Sequence, residues 1–301
     1  MTERRRRILV VGVAALDIIT EVAAYPAEDA ELRALDRRIV RGGNAANTLA
    51  VLSQLGHACA WAGTLGQDAE SAWVLDDLDR RGIDTGACVL QPRGSTPTSY
   101  VVLSQANGSR TIIHYRDLPE LSAADFARTR IAGYDWVHFE GRDPEETAAM
   151  VRDCVRRSPE IGVSLEVEKP RPGIETLFMG PDVLIFSRHY ARSRGYADPR
   201  RFLCDQWGHT DAGLLILPWG EAGAYAQPRA GEICFAPAHR PLLVRDTLGA
   251  GDVFNAAVID GLLARLAPPA LLDHCNALAG HKCGLLGLDD LVASAHEAGV
   301  L

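Results

Sequence analysis

Lysine is almost absent from this sequence of 301 residues, in which Lys169 and Lys282 are the only two. Positive charge is therefore carried almost entirely by arginine, and the net charge is −8. A protein that holds a phosphodiester backbone usually presents a strongly basic face. The one basic cluster, four arginines at 4–7, is typical of a solvated tail. The composition therefore argues against nucleic-acid binding.

Long apolar runs are also missing, and none approaches the roughly 20 residues that a helix needs to cross a bilayer. The arginines at 4–7 followed by residues 8–16 do imitate the start of a signal peptide. Asp17 interrupts that run, however, and Val10-Val11-Gly12 is equally typical of a first buried strand. We therefore expect a cytoplasmic protein that does not bind a membrane.

Cysteine pairing motifs are absent too, because the seven cysteines include no Cys-x-x-Cys and no histidine spacing that suits zinc. Disulfide frameworks belong mainly to short secreted chains, so these residues are typical of reduced core thiols. The rest of the composition, 47% apolar and 23% charged, is ordinary for a compact globular protein.

No repeat, low-complexity tract or linker divides the chain, so we expect a single domain over residues 1–301. Short apolar runs alternate with helix-like stretches, which predicts a mostly parallel sheet with helices on both faces. The runs are at 8–13, 136–139, 163–167, 183–186 and 214–217. Each ends in polar or glycine-rich sequence, and open α/β sheets bind ligands at the carboxyl ends of their strands.

A second region predicts a small antiparallel lid. Residues 99–103 and 110–115 are strand-like and are joined through Asn107-Gly108, which suits a tight hairpin because both residues tolerate positive φ. The charged, extended-looking segment 25–39 is expected to join them. The predicted lid therefore comprises residues of about 17–40 and 98–116.

The segment Asp246-Thr-Leu-Gly-Ala-Gly-Asp252 runs into a predicted helix at 253–266, which Pro268-Pro269 should stop. The amides of residues 249–252 then lie at a helix N-terminus, where unpaired N–H groups bind an anion. Asp252 is placed to accept a proton from a hydroxyl that attacks phosphorus. Taken alone, the pattern is equally typical of an aspartate that caps a helix.

A second polar motif, Arg41-Gly42-Gly43-Asn44-Ala-Ala-Asn47, opens a helix that Gly56 should close. Asn44 and Asn47 are three residues apart, so they share one face of the first turn. Two amides that project together suit the hydroxyls of a sugar, although asparagine is also a preferred cap. Asp17, expected at the end of the first strand, is costly to bury without a partner, which favours a ligand-facing role.

The sequence has no Gly-x-x-x-x-Gly-Lys-Ser/Thr, which excludes a P-loop kinase. Arginine, metal ions and backbone amides are left to balance phosphate charge. Arg110, beside the predicted turn, is one candidate, although an arginine on a hairpin is usually solvated.

The 246–252 loop and the Gly-Gly-Asn-x-x-Asn at 42–47 resemble the two motifs of the ribokinase-like (PfkB) sugar kinases. Other segments resemble the ketohexokinase branch of that family over nearly the whole chain. They are Tyr25-Pro-Ala-Glu-Asp29, Gly108-Ser-Arg-Thr-Ile112, His138-Phe-Glu-Gly-Arg142, Glu166-Val-Glu-Lys-Pro-Arg171 and Gly280-His-Lys-Cys-Gly284. The resemblance implies a three-layer α/β sandwich with a mostly parallel central sheet and a β lid, through which two subunits form a homodimer.

The same resemblance implies roles for individual residues. Sugar hydroxyls would be held by Asp17, Gly43, Asn44, Asn47 and Asp252, and by Asp29 reaching the partner subunit's site from the lid. Asp252 would also be the catalytic base, beside Gly249, Ala250 and Gly251. ATP with Mg²⁺ would contact Arg110, Gly220, Glu221, Ala222, Gly223, the three residues at 249–251 and Cys275, with Cys283 nearby. A K⁺ ion beside the loop is implied by resemblance alone.

Two departures from the family pattern affect this assignment. The Asn-x-x-Glu motif that many members use in the magnesium-phosphate network corresponds to Ser187-Arg-His-Tyr190, which lacks both residues. The protein contacts of the metal therefore stay unassigned. A stretch near the lid, residues 115–119, is shorter by one residue, which puts the sugar selectivity in question.

We therefore expect transfer of the γ-phosphoryl of ATP to a ketohexose, fructose to fructose 1-phosphate. A kinase of the same family that acts on another sugar, a nucleoside or an inositol is the alternative among enzymes. A sugar-binding regulator without turnover is a third interpretation, which the intact Asp252 and its glycines disfavour.

Overall fold

The computed structural model describes residues 5–106 and 109–301. Its strands are β1 (Arg7–Val11), β2 (Ala15–Val22), β3 (Asp36–Gly42), β4 (Ala58–Gly66), β5 (Asp84–Gln91), β6 (Thr98–Ser104), β7 (Arg110–Tyr115), β8 (Trp136–Glu140), β9 (Gly162–Val167), β10 (Val183–Phe186), β11 (Leu214–Pro218), β12 (Ala224–Pro228) and β13 (Cys234–Ala236). Its α-helices are α1 (Asn44–Gln54), α2 (Ala69–Arg80), α3 (Ala123–Phe126), α4 (Pro144–Arg157), α5 (Arg188–Ser193), α6 (Pro199–Gln206), α7 (Ala250–Leu263), α8 (Pro268–Cys283) and α9 (Leu291–Glu297).

The large sheet has the strand order β13-β12-β11-β10-β9-β8-β1-β4-β5. Every neighbouring pair from β11 to β5 in this spatial order is parallel. Strands β12 and β13 extend the β11 edge as antiparallel strands. After β1 the chain first builds the β4 side and later the β8 side, so the order switches at β1. In such sheets the ligand crevice lies at the switch point, outside the carboxyl ends of the strands.

Both faces of the large sheet are buried, which is why its strands are continuous apolar runs rather than alternating ones. In β1, Ile8 and Val10 belong to one core cluster, and Leu9 and Val11 belong to the other. Side chains of α1, α7 and α8 complete the first cluster, and those of α4, α5 and α6 complete the second. The predicted three-layer α/β sandwich is confirmed, and residues 8–11 form a buried central strand.

The small sheet has the order β3-β2-β6-β7, with β2 and β6 parallel and the other pairs antiparallel. It corresponds to the lid expected from the sequence. One position was predicted wrongly: Asp17 lies within β2 rather than at the end of the first strand. The reason is that β1 ends at Val11, and the chain then turns into the small sheet.

The extended segment predicted at 25–39 is also only partly right. Regular pairing begins at Asp36, and residues 25–35 connect β2 to β3 along an exposed path in which Asp29 has φ of 62°. A left-handed residue of this kind interrupts extended backbone. The tight hairpin predicted at Asn107-Gly108 lies outside the described residues.

Two helices frame the site. Helix α1 begins at Asn44, and Gly56 follows its end with φ of 90°, as predicted. Helix α7 was predicted at 253–266 but begins at Ala250 and ends at Leu263, because Arg265 takes φ of 61°. Pro268 does not stop α7; it begins α8, where its missing N–H has no cost. None of the helices in the described ranges is long and apolar enough to cross a membrane.

Candidate active site

A cleft of about 480 Å³ separates the small sheet from the carboxyl ends of the central strands. Its walls come from the cleft-facing side of β2, β6 and β7, the first turn of α1, the ends of β9, β10 and β11, and the start of α7. Segments that are far apart in sequence, the 42–47 motif and the 246–252 loop, therefore meet in one place. The fold thus places residues of both sequence motifs in one cleft.

Asp252 is the carboxylate on which the two motifs converge. It lies in the first turn of α7, is 7% exposed, and its Oδ2 accepts a hydrogen bond of 2.8 Å from Asn47 Nδ2. Thr48 Oγ1 also donates to the Asp252 carbonyl, which ties α1 to α7. Burial and the nearby charge of Glu166 raise the pKa of Asp252 well above its usual range, while the Asn47 hydrogen bond acts against them. A base with a raised pKa is better suited to take a proton near neutral pH.

The loop before Asp252 has the backbone geometry of an anion cradle. Gly249 takes φ of 79°, a conformation that favours glycine, and so turns the chain into α7. The first-turn amides of a helix lack intrahelical acceptors and bind anions. At Gly251 a methyl group would meet no atom within 4 Å other than its chain neighbours and the backbone of its own helix, so the space above the cradle is open to a ligand.

Lys282 holds the beginning of this loop. Its side chain is fully buried, and Nζ donates to the Asp246 carbonyl at 2.7 Å and lies 2.8 Å from Asp246 Oδ2. The Asp246 carboxylate also accepts from the amides of Leu248 and Gly287. Burial opposes ionisation, but Lys282 and these amides lower the pKa of Asp246 overall. The loop is therefore anchored by a buried ion pair that the sequence analysis missed.

The small sheet contacts the loop through Arg110. Arg110 Nη1 in β7 donates to Thr247 Oγ1, so a cationic side chain of the lid closes over the anion cradle. The role of Arg110 as a phosphate contact stays a prediction. Lys169 also lines the cleft, with a largely exposed side chain whose Nζ lies 3.3 Å from Glu168 Oε1.

A row of polar residues crosses the cleft-facing side of the small sheet. Asp17, Ser99 and His114 lie opposite one another on β2, β6 and β7, and Ser99 Oγ is 3.1 Å from His114 Nδ1. Burial raises the pKa of Asp17, against which Ser99 and Arg41 act. A methyl group on Gly42 would lie 2.2 Å from the Asp17 carboxylate, so only glycine lets the backbone pack there.

Asn44 lies in the cleft beside two acids. Its Nδ2 donates to Glu166 Oε2 at 3.2 Å and to Glu168 Oε2 at 3.4 Å. Burial and the charge of Glu168 raise the pKa of Glu166 to about 7, with Asn44 and Asn255 acting in the other direction. Both asparagines of the predicted pair thus donate hydrogen bonds to acidic groups of the cleft. Asn47 donates to Asp252, and Asn44 donates to Glu166.

Glu140 fixes the position of the α1 N-terminus. Its Oε1 accepts from Val13 N, at 3.1 Å, and from Ala45 N, so one buried oxygen links the end of β8, the turn after β1 and α1. A methyl group on Gly12 would lie 2.6 Å from this carboxyl group. Burial raises the pKa of Glu140 to about 8, although Arg142 lowers it. We refer to Glu140 with these two amides as the Glu140 clip.

The remaining predicted residues lie at different distances from the cleft. The turn Gly220–Ala222 with Gly223 follows β11 at the same edge of the sheet as the cleft. Cys275 is fully buried and packs in the core, which does not support its predicted role in lining the nucleotide site. Cys283 ends α8, and its carbonyl accepts from the Arg245 and Asp246 amides at the start of the loop. Asp29 is exposed in the β2–β3 connection, away from the cleft lining.

Several cleft residues were not named as site residues in the sequence analysis. They are Ser99, His114, Arg142, Glu166, Glu168, Lys169, Arg171 and Asn255. Glu166, at the end of an apolar run, was detectable by the same reasoning as Asp17, because an acid is costly to bury. His114 and Ser99 gave no signal, since only strand pairing brings them beside Asp17.

The site combines a crevice at the switch point of an α/β sheet, an anion-binding helix start, a buried carboxylate beside that helix start and a small-sheet lid. Together these features define a phosphotransferase that acts on a small polyol or sugar. Residues 5–291 match the family described as pfkB family carbohydrate kinase, and the chain belongs to that family.

Known relatives agree with this assignment. The chain is 37% identical to ketohexokinase of Mus musculus, over 95% of this chain and 99% of that protein. It is 26% identical to a fructokinase of Klebsiella pneumoniae, over 96% of this chain and 99% of that protein. It is 25% identical to ribokinase of Bacillus subtilis, over 91% of this chain and 92% of that protein.

Solved structures show the same fold at low sequence identity. A putative ribokinase from Agrobacterium tumefaciens superposes with a TM-score of 0.83 at 19% identity, covering 98% of each chain. Arabidopsis thaliana ribokinase, complexed with ribose and ATP, gives a TM-score of 0.78 at 19% identity over 94% of each chain. The predicted ribokinase-like fold and the carbohydrate-kinase class are therefore confirmed.

Proposed function

We propose that the protein transfers the γ-phosphoryl group of ATP to a hydroxyl of a ketohexose, converting fructose to fructose 1-phosphate. The observation that carries the chemistry is the convergence of Asn47, Asp252 and the 249–251 backbone in one cleft. The choice of a ketohexose is supported by 37% identity to a ketohexokinase, against 25% for the ribokinase. Its location in the cytoplasm and any need for K⁺ stay predictions.

The reaction follows from the positions of the groups. The sugar hydroxyl attacks the γ-phosphorus, its proton passes to Asp252, an O–P bond forms to the sugar and the bond between the γ-phosphorus and the ADP oxygen breaks. Because the phosphoryl group carries spread negative charge during transfer, the first-turn amides of α7 and the Arg110 guanidinium stabilise it. Asp17 and Asn44 are proposed to hold the other sugar hydroxyls.

Mg²⁺ is implied by the kinase class, and the acids of the cleft fit it in chemistry. Glu166 and Glu168 present carboxylate oxygens, the ligands that Mg²⁺ prefers. In the described ranges no three histidine, cysteine or acidic residues form a metal-binding group. We therefore propose that the ion is bound mainly by the nucleotide phosphates, with one or both glutamates beside it. When bound it neutralises phosphate charge.

The role of Asp252 is tested by Asp252→Asn, which keeps the shape of the side chain but removes the base. We expect the turnover of fructose to fall about 10²–10⁴-fold, the usual contribution of general base catalysis, with the melting temperature little changed. ADP release in a coupled assay measures it. Turnover within tenfold of the unsubstituted enzyme would mean that Asp252 is not the base.

The sugar is tested separately, with a panel of ketoses, aldoses, nucleosides and inositols assayed for ADP release. Fructose should give the highest kcat/KM, and NMR of the product should place the phosphate on the 1-hydroxyl. A higher kcat/KM for ribose or a nucleoside would support the alternative kinase instead. Calorimetric binding of fructose without ADP formation at any Mg²⁺ concentration would support a sugar-binding regulator.

We also propose that two copies of the chain associate through the outer face of the small sheet, as the resemblance to its family implies. Ile39, Ile18, Tyr100 and Ile113 form one row across the four strands of that sheet. Three of them, Ile39, Tyr100 and Ile113, are 39%, 50% and 61% exposed. An apolar row of this kind on a sheet face is typical of a protein-protein interface.

A further inference from the structure

Arg41 is buried behind the proposed base, where a free cation would be costly. The side chain extends from β3, is 7% exposed, and its guanidinium lies between two partners. Nη1 donates to Asp77 Oδ2 at 2.7 Å, and Nη2 donates to Asn47 Oδ1 at 3.1 Å. Arg41 thus connects helix α2, which carries Asp77, to the first turn of α1.

The two hydrogen bonds of Asn47 determine which way its amide faces. A guanidinium has only donors, so the Asn47 group that faces Arg41 must be the oxygen. The Nδ2 group is then directed at Asp252 Oδ2, 2.8 Å away, where a carboxylate accepts it. If the amide turned over, its oxygen would face a carboxylate and its nitrogen would face a guanidinium, and both contacts would be repulsive.

We propose that Arg41 is a positioning residue, which acts through Asn47 to keep a hydrogen-bond donor directed at the catalytic carboxylate of Asp252. This inference rests on the proposed function, since it takes Asp252 to be the base. Without Arg41, only the contact with Asp252 itself selects the orientation of the Asn47 amide, so the donor is lost from Asp252 for a larger part of the time.

The direction of the effect follows from the charges around Asp252. The acids that face it are Glu140 from β8, Glu166 from β9 and Glu168 after β9, and all three favour its protonated form. Asn47 from α1 favours the charged form. Losing the Asn47 donor therefore leaves the acids unopposed, so the base should become protonated at a higher pH.

Arg81 offers a matched control, because it binds the same aspartate but not Asn47. Its Nε and Nη2 lie 2.9 Å and 3.3 Å from the Asp77 carboxylate, and Nη2 also lies 2.7 Å from Asp289 Oδ1. Replacing Arg81 by methionine removes a charge from the Asp77 network while leaving the Arg41–Asn47–Asp252 contacts in place. Comparison of the two variants therefore separates a loss of stability from a loss of the Asn47 orientation.

The experiment is the pH profile of kcat/KM for the sugar in the unsubstituted enzyme, Arg41→Met and Arg81→Met, with a melting curve for each. We expect Arg41→Met to move the acid limb of the profile upward by about one pH unit, the size expected for the loss of one charge-assisted hydrogen bond. Arg81→Met should leave the limb where it is, even if its melting temperature falls. An unmoved limb in Arg41→Met, or an equal shift in Arg81→Met, would overturn the inference.

A double substitution tests whether Arg41 acts through Asn47. Once Asn47→Ala has removed the donor, adding Arg41→Met should shift the limb no further. Additive shifts would contradict the proposed route. If Arg41→Met does not fold, Arg41→Lys keeps the buried charge, but its single nitrogen replaces the contact with Asp77 and leaves Asn47 Oδ1 without the second donor, so the limb should shift in the same direction. A limb identical to that of the unsubstituted enzyme would count against the inference.

Failure of this inference is distinguishable from failure of the proposed function. If Asp252→Asn remains active, the base assignment itself is wrong. If Asp252→Asn is inactive and the acid limb is present but independent of residue 41, only the positioning role of Arg41 is wrong.

Discussion

Gly251 is a residue at which activity and stability are expected to separate. It lies in the first turn of α7 and lines the cleft, and a methyl group there would meet no atom within 4 Å beyond its chain neighbours and its own helix backbone. Gly251→Ala should raise the free energy of unfolding by about 0.5–1 kcal/mol, since alanine favours helix over glycine. The same methyl group would stand where a phosphate approaches the backbone, so kcat/KM should fall at least tenfold.

Urea unfolding and steady-state kinetics on one preparation check both effects. Gly261 serves as the contrasting site, because a methyl group there would lie 2.5 Å from Leu271 in the α7–α8 contact. Gly261→Ala should lower stability through overpacking, with a smaller effect on the rate of the remaining folded enzyme. A Gly251→Ala enzyme of full activity would show that no ligand group closely approaches this amide.

Individual site residues were predictable where a sequence motif or a local rule, such as the cost of burying the Asp17 carboxylate, singled them out. Asp252, Asn44 and Asn47 were identified because helix spacing fixes which residues share a turn, and the cleft contains all three. Lys282 and Arg41 were not assigned their roles, because their partners, Asp246 and Asp77, lie 36 residues away in each case. Pairing over such separations depends on how helices pack, which a local pattern does not encode.

At the scale of elements, the Glu140 clip joins the end of β8, the turn after β1 and the start of α1 through one carboxyl group. Its folded-state pKa of about 8 is above the usual value for glutamate, so the folded protein holds a proton that the unfolded chain has already released. Stability is then lost as pH rises from about 4.5 to about 8, because the unfolded state binds fewer protons over that range. Glu166 and Asp252, whose pKa values are also raised, add to this loss.

We therefore predict that Glu140→Gln makes stability less dependent on pH. The glutamine oxygen can still accept from Val13 and Ala45, but it does not titrate. Between pH 5.5 and 8 the free energy of unfolding should fall less in the variant than in the unsubstituted protein, by about 1 kcal/mol or more. Chemical denaturation at several pH values measures this. An identical pH dependence in both proteins would mean that Glu140 is ionised in the folded state throughout.

The order of elements was largely predictable, and the misses have physical causes. The runs at 8–13, 163–167 and 214–217 are strands because buried parallel strands are continuous apolar segments. The strand β4 was missed because it is rich in alanine and glycine, which carry little strand signal. The join between β1 and β2 was missed because both strands and their connection are apolar, so composition did not mark where one sheet ends and the other begins.

At the scale of the whole molecule, the exposed row on the small sheet predicts the oligomeric state. The unsubstituted protein should sediment at twice the chain mass of 32.5 kDa. Ile113→Asp, which places a charge in the most exposed position of the row, should sediment as a monomer. Phe235, 44% exposed on β13 at the far edge of the large sheet, provides the control, and Phe235→Asp should remain dimeric. A monomeric unsubstituted protein at micromolar concentration would rule out this interface.

Because lysine is scarce, the cleft can be labelled selectively at one residue. Of the two lysines, Lys282 is sealed beneath the loop with no exposed surface, whereas the Lys169 side chain is 57% exposed at the cleft mouth. An amine-reactive fluorophore should therefore couple, apart from the α-amino group, at Lys169 alone. The emission of the bound fluorophore should change when a ligand occupies the cleft. A ligand bound beforehand should protect Lys169 from labelling. Either measurement gives the occupancy of the cleft without an activity assay.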